Sequence, residues 1–351
     1  MQSSDKIKAI GLVSGGLDSM LATKLLMDQG IEVIPVNFNT GFCVTSVRRQ
    51  TKSHKLPAKK LKNDALMTGE ILGVPVHIVD ISDTYMADVV LHPKHGYGKA
   101  FNPCVDCRIY MLKKARELME KHGAHFVYTG EVLGQRPMSQ KKHKLELIEH
   151  EAGLKGLLLR PLSAKLLPPT IPELKGWVDR EKLLDASGRS RQKQLELVEK
   201  MGIPEYSQPA GGCCYLVDHN FAKRMKDTLK NNGWKEPDRD DLALLPIGRH
   251  FRFNKHFKII IGRDEGENNF LNAFRNRYPN MLVKDYNTPL TILQGELTDE
   301  EIAWAARMTI TYSDAPDDQP VEVILDIPDK ESTILVETGF DKKDVAKWRI
   351  N

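Results

Sequence analysis

With 351 residues, 41% hydrophobic and 28% charged, the chain has the balance of a globular protein of two or three domains with a sizeable core. No apolar run reaches the ~18–20 residues that span a bilayer, and the opening Met1-Gln2-Ser3-Ser4-Asp5-Lys6 lacks the layout of a signal peptide, so a cytoplasmic location with no membrane partner is expected. A formal charge of +4 does not by itself identify a nucleic-acid binder, and five cysteines without an export signal argue against a disulfide framework and for metal or thiol chemistry.

In chain order, Lys8-Ala9-Ile10-Gly11-Leu12-Val13 is a short apolar run stopped by Ser-Gly-Gly, the pattern of a buried parallel strand. Residues 18–29 place Met20, Leu21, Leu25 and Leu26 near helical spacing and stop at Gly30. Strands are predicted at 31–38, 74–81 and 125–129, with helical stretches around Ala65 to Leu72 and over 109–121. Alternating strands and helices predict an α/β fold, a doubly wound and mostly parallel sheet with ligands at the carboxyl ends of its strands. Between Pro161 and Pro209 the run Leu167-Pro168-Pro169-Thr170-Ile171-Pro172 must be extended or turning, and helices are predicted at 177–185, 189–201 and 221–231. Strand-like runs at 258–261, 290–293 and 321–325 then dominate, giving a second, smaller α+β domain and the division 1–217 and 218–351. No internal repeat or heptad pattern is present.

The strongest chemical signal is Ser14-Gly15-Gly16-Leu17-Asp18-Ser19 between the first strand and its helix. Glycines let backbone amides approach phosphate oxygens, the helix adds its positive end, and the serines add hydroxyls. It is neither a Walker loop, which needs Gly-Lys-Ser/Thr, nor a Gly-x-Gly-x-x-Gly dinucleotide site. The second signal is Asn102-Pro103-Cys104-Val105-Asp106-Cys107-Arg108, a C-x-x-C just before a helix, whose N-terminus and Arg108 would favour thiolates. Cys213 and Cys214 follow Pro209-Ala210-Gly211-Gly212, and one of them would complete a three-thiolate site. An iron–sulfur cluster with one open iron, a catalytic persulfide without metal, and a zinc site borrowing His92 or His95 all remain open on these residues. Arg48, Arg49, Lys52, Lys55, Lys59, Lys60 and Lys62 crowd one segment poor in acids, and Lys141-Lys142-His143-Lys144 forms another, both suited to RNA phosphates.

The loop resembles the SGGxDS loop of the ATP pyrophosphatases (PP-loop, HUP-like fold), which cleave ATP between the α and β phosphates. With NPCVDCR, Thr129-Gly130-Glu131-Val132-Leu133-Gly134-Gln135-Arg136-Pro137-Met138-Ser139 and PAGGCC, residues 1–215 are similar to the PP-loop tRNA thiouridine synthases, especially the tRNA 2-thiouridine synthases. The resemblance implies ATP-dependent tRNA thiolation, in which a uridine carbonyl oxygen is adenylated and then replaced by sulfur, with ATP and Mg2+ as cofactors. By position, Ser14, Gly15, Gly16, Asp18, Ser19, Asn37 and Gly130 would bind ATP, and Asp18, Cys104 and Cys213 would act catalytically. Cys104, Cys107 and Cys213 would hold a [4Fe-4S] cluster, and Gln135, Arg136, Arg48, Arg49, Lys52, Lys141 and Lys142 would contact RNA. The partners implied are tRNA and a sulfur donor, either sulfide or a persulfide-carrying protein, with room for a homodimer. Lys258-Ile259-Ile260-Ile261-Gly262-Arg263-Asp264-Glu265-Gly266-Glu267-Asn268-Asn269 resembles the core motif of the NFACT RNA-binding domain, with positive charge around it from Arg249, Arg252, Lys255, Arg263, Arg275 and Arg277. Two other readings are a PP-loop ligase or sulfur-metabolism enzyme acting on a small carbonyl substrate, and a non-catalytic RNA-binding protein.

Overall fold

The computed structural model describes residues 6–44, 51, 63–206, 213–328 and 330–350. The chain divides into two compact units, one made of Met1–Cys43 and Ala58–Cys213 and the other of Val44–Pro57 and Cys214–Asn351. In the first, strands β1 (Lys8–Leu12), β2 (Glu32–Asn39), β3 (His77–Asp80), β4 (Phe126–Thr129) and β5 (Leu158–Leu159) form one sheet in the order β3-β2-β1-β4-β5. Every pairing is parallel, with Leu12 opposite Val36 on one side and Thr129 on the other.

The central strand is buried on both faces, which is why it reads as a continuous apolar run. Ala9, with Phe126 and Tyr128, packs under helix α1 (Leu17–Met27), against Leu21 and Leu25. Ile10, Leu12 and Val127 pack on the opposite face among residues that include Leu112 and Ala115 of one helix and Ile148 of another. Helix α2 (Asp64–Leu72) is capped by Asn63, whose side chain accepts from the Ala65 amide at 2.8 Å, and stops at Gly73 in the left-handed region. Helices α3 (Cys104–Lys121) and α4 (Lys142–Glu151) carry the core residues just named, and α5 (Gln192–Met201) lies on the α1 side through Val198.

Two expectations differ from the structure. Helix α3 begins at Cys104, so the C-x-x-C forms its first turn instead of preceding it. Residues 177–185 are not a helix beyond a single tight turn at Arg180–Lys182. Asp179 accepts from the Glu181 amide, Arg180 donates to Glu173 and to the Leu167 carbonyl, and the apolar spacing instead sends Val178 and Leu183 into the core.

The second unit contains helices α6 (His219–Asn231) and α7 (Arg239–Leu244). Strands β6 (Arg249–Asn254), β7 (Phe257–Ile261), β8 (Asn280–Val283), β9 (Thr291–Gly295), β10 (Val321–Ile327) and β11 (Lys330–Val336) form an antiparallel sheet ordered β11-β10-β8-β9-β7-β6. Phe257, Ile259 and Ile261 face the core under Trp304 and Met308 of helix α9 (Asp299–Thr311). Ile260 faces the other side, with Leu244, Leu271 of helix α8 (Glu265–Asn272), Leu290 and Ile292. This two-residue alternation is that of a sheet covered on both faces. No helix among the described residues is long and apolar enough to cross a membrane.

Candidate active site

Strand order in the parallel sheet reverses beside β1, between β2 on one side and β4 on the other, which opens a crevice at the carboxyl ends of β1 and β4. The Ser14 to Ser19 loop leaves β1 there and Gly130 leaves β4. Gly15 has φ +82°, and a Cβ on it would lie 2.3 Å from the Asp64 carbonyl carbon, so both backbone hand and space require glycine. Gly130 is likewise pressed on α1, where a Cβ would meet the Asp18 carbonyl carbon and the Ser19 amide at 2.5 Å. Asn37 at the end of β2 donates to the Val13 carbonyl at 2.7 Å and braces the loop entry. Ser19 is buried and donates to the Gly16 carbonyl at 2.9 Å, so its proton is used inside the loop, while Ser14 is exposed.

Asp18 stands in the first turn of α1 between two amides. Gln135 donates to one carboxylate oxygen at 3.1 Å and Gln194, fully buried on α5, donates to the other at 3.3 Å. Both bonds hold the carboxylate in one orientation, and Gln194 Oε1 is buried without a hydrogen-bond partner among the described residues. No sequence motif marks Gln194; only the fold brings it to a residue 176 positions away.

The thiols lie at the same end of the sheet, because a helix that crosses between parallel strands starts where the preceding strand ends. Asn102 donates to Cys104 Sγ at 3.0 Å. Burial nevertheless raises the Cys104 thiol, against the Asn102 hydrogen bond and Arg108, and pushes Cys107 up to about 11, against Arg108. The expected thiolate-favouring environment is therefore overturned: desolvation outweighs the guanidinium, and both thiols are neutral near pH 7. Arg108 itself is held by an acid. It lies 3.5 Å from Glu131, which also binds Arg160 at 3.2 Å, and Arg160 reaches Glu149 at 2.9 Å. Glu131 adjoins Gly130, so one buried ion network joins the C-x-x-C turn to the backbone that touches Asp18.

Cys213 is exposed and near enough for its charge to bear on both Cys104 and Cys107. The three do not form the expected metal centre: among the described residues no group of three or more His, Cys, Asp or Glu could hold a metal ion. Cys104 and Cys107 are half-buried in one helical turn whereas Cys213 is exposed, so the donor set does not fit a [4Fe-4S] cluster in this arrangement. The zinc alternative with His92 or His95 is likewise not formed among the described residues, and His95 lies 3.1 Å from Glu151. Gln135 is half-buried, and Arg136, Lys141 and Lys142 are exposed on the segment that follows it and at the start of α4. Arg48, Arg49 and Lys52 lie outside the described residues.

Residues 7–160 match the family model described as the tRNA methyl transferase HUP domain, and residues 248–349 match the NFACT protein RNA binding domain. A tRNA-specific 2-thiouridylase of Caldanaerobacter subterraneus is 26% identical over 228 residues, covering 63% of this chain and 58% of that protein. One of Dehalococcoides mccartyi is 27% identical over 259 residues, 68% of this chain and 64% of the relative. One of Flavobacterium johnsoniae is 31% identical over 229 residues, 60% and 56% respectively. The chain thus spans less than two thirds of the length of these relatives, is similar to them over its N-terminal part, and carries a C-terminal segment of a different kind.

Proposed function

We propose that this protein is an ATP-dependent tRNA sulfurtransferase that replaces a uridine carbonyl oxygen with sulfur. The observation that carries the reading is the continuity of the crevice. A loop shaped for phosphates, with Asp18 clamped by Gln135 and Gln194, is tied through Gly130, Glu131 and Arg108 to a pair of cysteines. Similarity to tRNA 2-thiouridylases and the RNA-binding match support tRNA as the substrate.

A uridine carbonyl is a poor electrophile whose oxygen leaves badly. In the proposed reaction that oxygen attacks the α phosphorus of ATP, the α–β bond breaks and pyrophosphate departs. A sulfur nucleophile then attacks the ring carbon and AMP carries the oxygen away. Backbone amides of Ser14 to Gly16 and the N-terminus of α1 would stabilise charge on the departing pyrophosphate. Asp18 would hold the Mg2+ that accompanies the phosphates, a group that neutralises their charge when bound. Cys104, Cys107 and Cys213 would carry or position the sulfur supplied by a donor. A [4Fe-4S] cluster on these residues requires Cys213 to move inward, and no step here depends on it.

The test is to incubate the purified chain, with its iron content measured, with unmodified tRNA, ATP, Mg2+ and sulfide, and to analyse the nucleosides by mass spectrometry. A thiouridine formed only with ATP is expected, and its retention distinguishes substitution at carbon 2 from carbon 4. Absence of any thiolated nucleoside, from both iron-free and iron-loaded protein, would sink the proposal.

A further inference from the structure

Four of the arginines that colour the C-terminal sequence are neutralised by acids in the fold. Arg252 is paired with Asp227 at 2.6 Å, Arg275 with Asp326 at 2.9 Å, Arg263 with Glu267 and Arg277 with Asp240. Arg224 is buried, its guanidinium donating to the carbonyls of Leu245 and Gly248. An arginine already matched to a carboxylate gives little net attraction to a polyanion.

Arg249 and Arg349 are different, as is Arg307, whose guanidinium donates to the Thr338 and Gly339 carbonyls. Neither Arg249 nor Arg349 has a carboxylate partner among the described residues; Arg249 donates to the Gly262 carbonyl at 3.0 Å, and Arg349 is exposed. Arg249 and Phe251 are two apart on β6 and so share a face, and Arg349 pairs antiparallel opposite Phe251, which puts it on that face as well. Tyr312, just past α9, closes the group: its ring lies 4.9 Å from the Arg249 guanidinium and 5.6 Å from the Phe251 ring. Each arginine bears on the Tyr312 hydroxyl and on the other's charge, and the Glu267 carboxylate that reaches Arg249 electrostatically is already held by Arg263. Two unmatched guanidiniums beside an aromatic ring suit a phosphodiester, which accepts their N–H groups, better than a neutral or cationic ligand.

We propose that Arg249 and Arg349, set against Tyr312, form a phosphate-binding site of the second unit that grips an RNA backbone; this rests on RNA being the substrate, as proposed above. The arginines paired with acids contribute structure instead.

The test measures binding of an unmodified tRNA transcript to the full chain by fluorescence anisotropy across a salt series. Variants are Arg249→Gln, Arg349→Gln and, as a control that removes one charge already matched by Glu322, Lys284→Gln. Each arginine variant is expected to weaken binding on the order of threefold to tenfold and to flatten the log affinity against log salt slope by about one. Lys284→Gln should leave both unchanged. If Arg249→Gln fails to fold because its bond to Gly262 is lost, the exposed Arg349→Gln carries the test. Wild-type affinity and slope in Arg349→Gln, or equal losses in all three variants, overturn the site while leaving RNA as substrate. A wild-type chain with no salt-dependent tRNA binding overturns the RNA reading itself, and the site with it.

Discussion

The two sheets concentrate chemistry in different ways. In the parallel sheet every strand points the same way, so the turns after β1 and β4 and the first turn of α3 gather at one end, and residues as distant as Asp18, Gly130 and Gln194 meet there. In the antiparallel sheet successive turns alternate between ends, and several arginines around it settle beside an acid, as Arg263 does with Glu267 one helical turn away. A motif is thus a good guide in the first unit, whereas in the second the informative residues are those left unmatched.

The largest effect that would break this contrast is on catalysis. Asp18→Asn keeps the size of the side chain and one acceptor for the two glutamines but removes the charge, and ATP–pyrophosphate exchange is expected to fall by about 100-fold or more. Near wild-type exchange would remove Asp18 from the centre. Gly130→Ala forces a methyl against the α1 backbone and should cost roughly 2–4 kcal/mol, read as a lower urea midpoint for the first unit with the second unit's transition unmoved. An unchanged midpoint would show the approach is looser than described.

Glu131→Gln frees the Arg108 charge to act on the thiols, so alkylation of Cys107 at pH 8 should speed up by about threefold or more. A slower rate would mean that Glu131 does not restrain Arg108.

The smallest effect has opposite signs in the two units. Burial raises Cys107 to about 11, so the unfolded chain loses that proton first and the first unit should lose stability as pH rises from about 9 to 11. Burial, with Arg252 adding to it, lowers Lys258 to about 8, so the second unit should gain stability as pH rises from about 8 to its ordinary range near 10.5, and lose it as pH falls back through 8. Urea midpoints of Cys107→Ala and Lys258→Met should each lack the corresponding slope; a slope retained in either variant assigns it to another group.

The strands of the first unit, its order of elements and the Ser14 to Ser19 loop were legible because a strand buried on both faces and a glycine-rich turn leave local marks. Gln194 and Glu131 were not, since their importance arises from contacts across 176 and 23 residues, to Asp18 and Arg108. The ionisation of Cys104 and Cys107 was read in the wrong direction because Arg108 is visible in the sequence and the burial that outweighs it is not. In the second unit β6, β8, β11 and α9 escaped notice: Arg249-His250-Phe251-Arg252-Phe253-Asn254 reads as a polar, basic run until its partners bury His250 and Phe251.

The pairing of Ala9 with Phe126 has a consequence for synthesis. β1 is made first yet is flanked on one side by a strand that leaves the ribosome 117 residues later, on the order of ten seconds at roughly 5–20 residues per second. The phosphate loop thus emerges early but waits for Gly130 to close it, whereas the β6 and β7 hairpin needs only its own neighbours. Stalled nascent chains that end before β4 should fail to retain ATP, and those extended past Leu159 and clear of the exit tunnel should acquire that ability in one step.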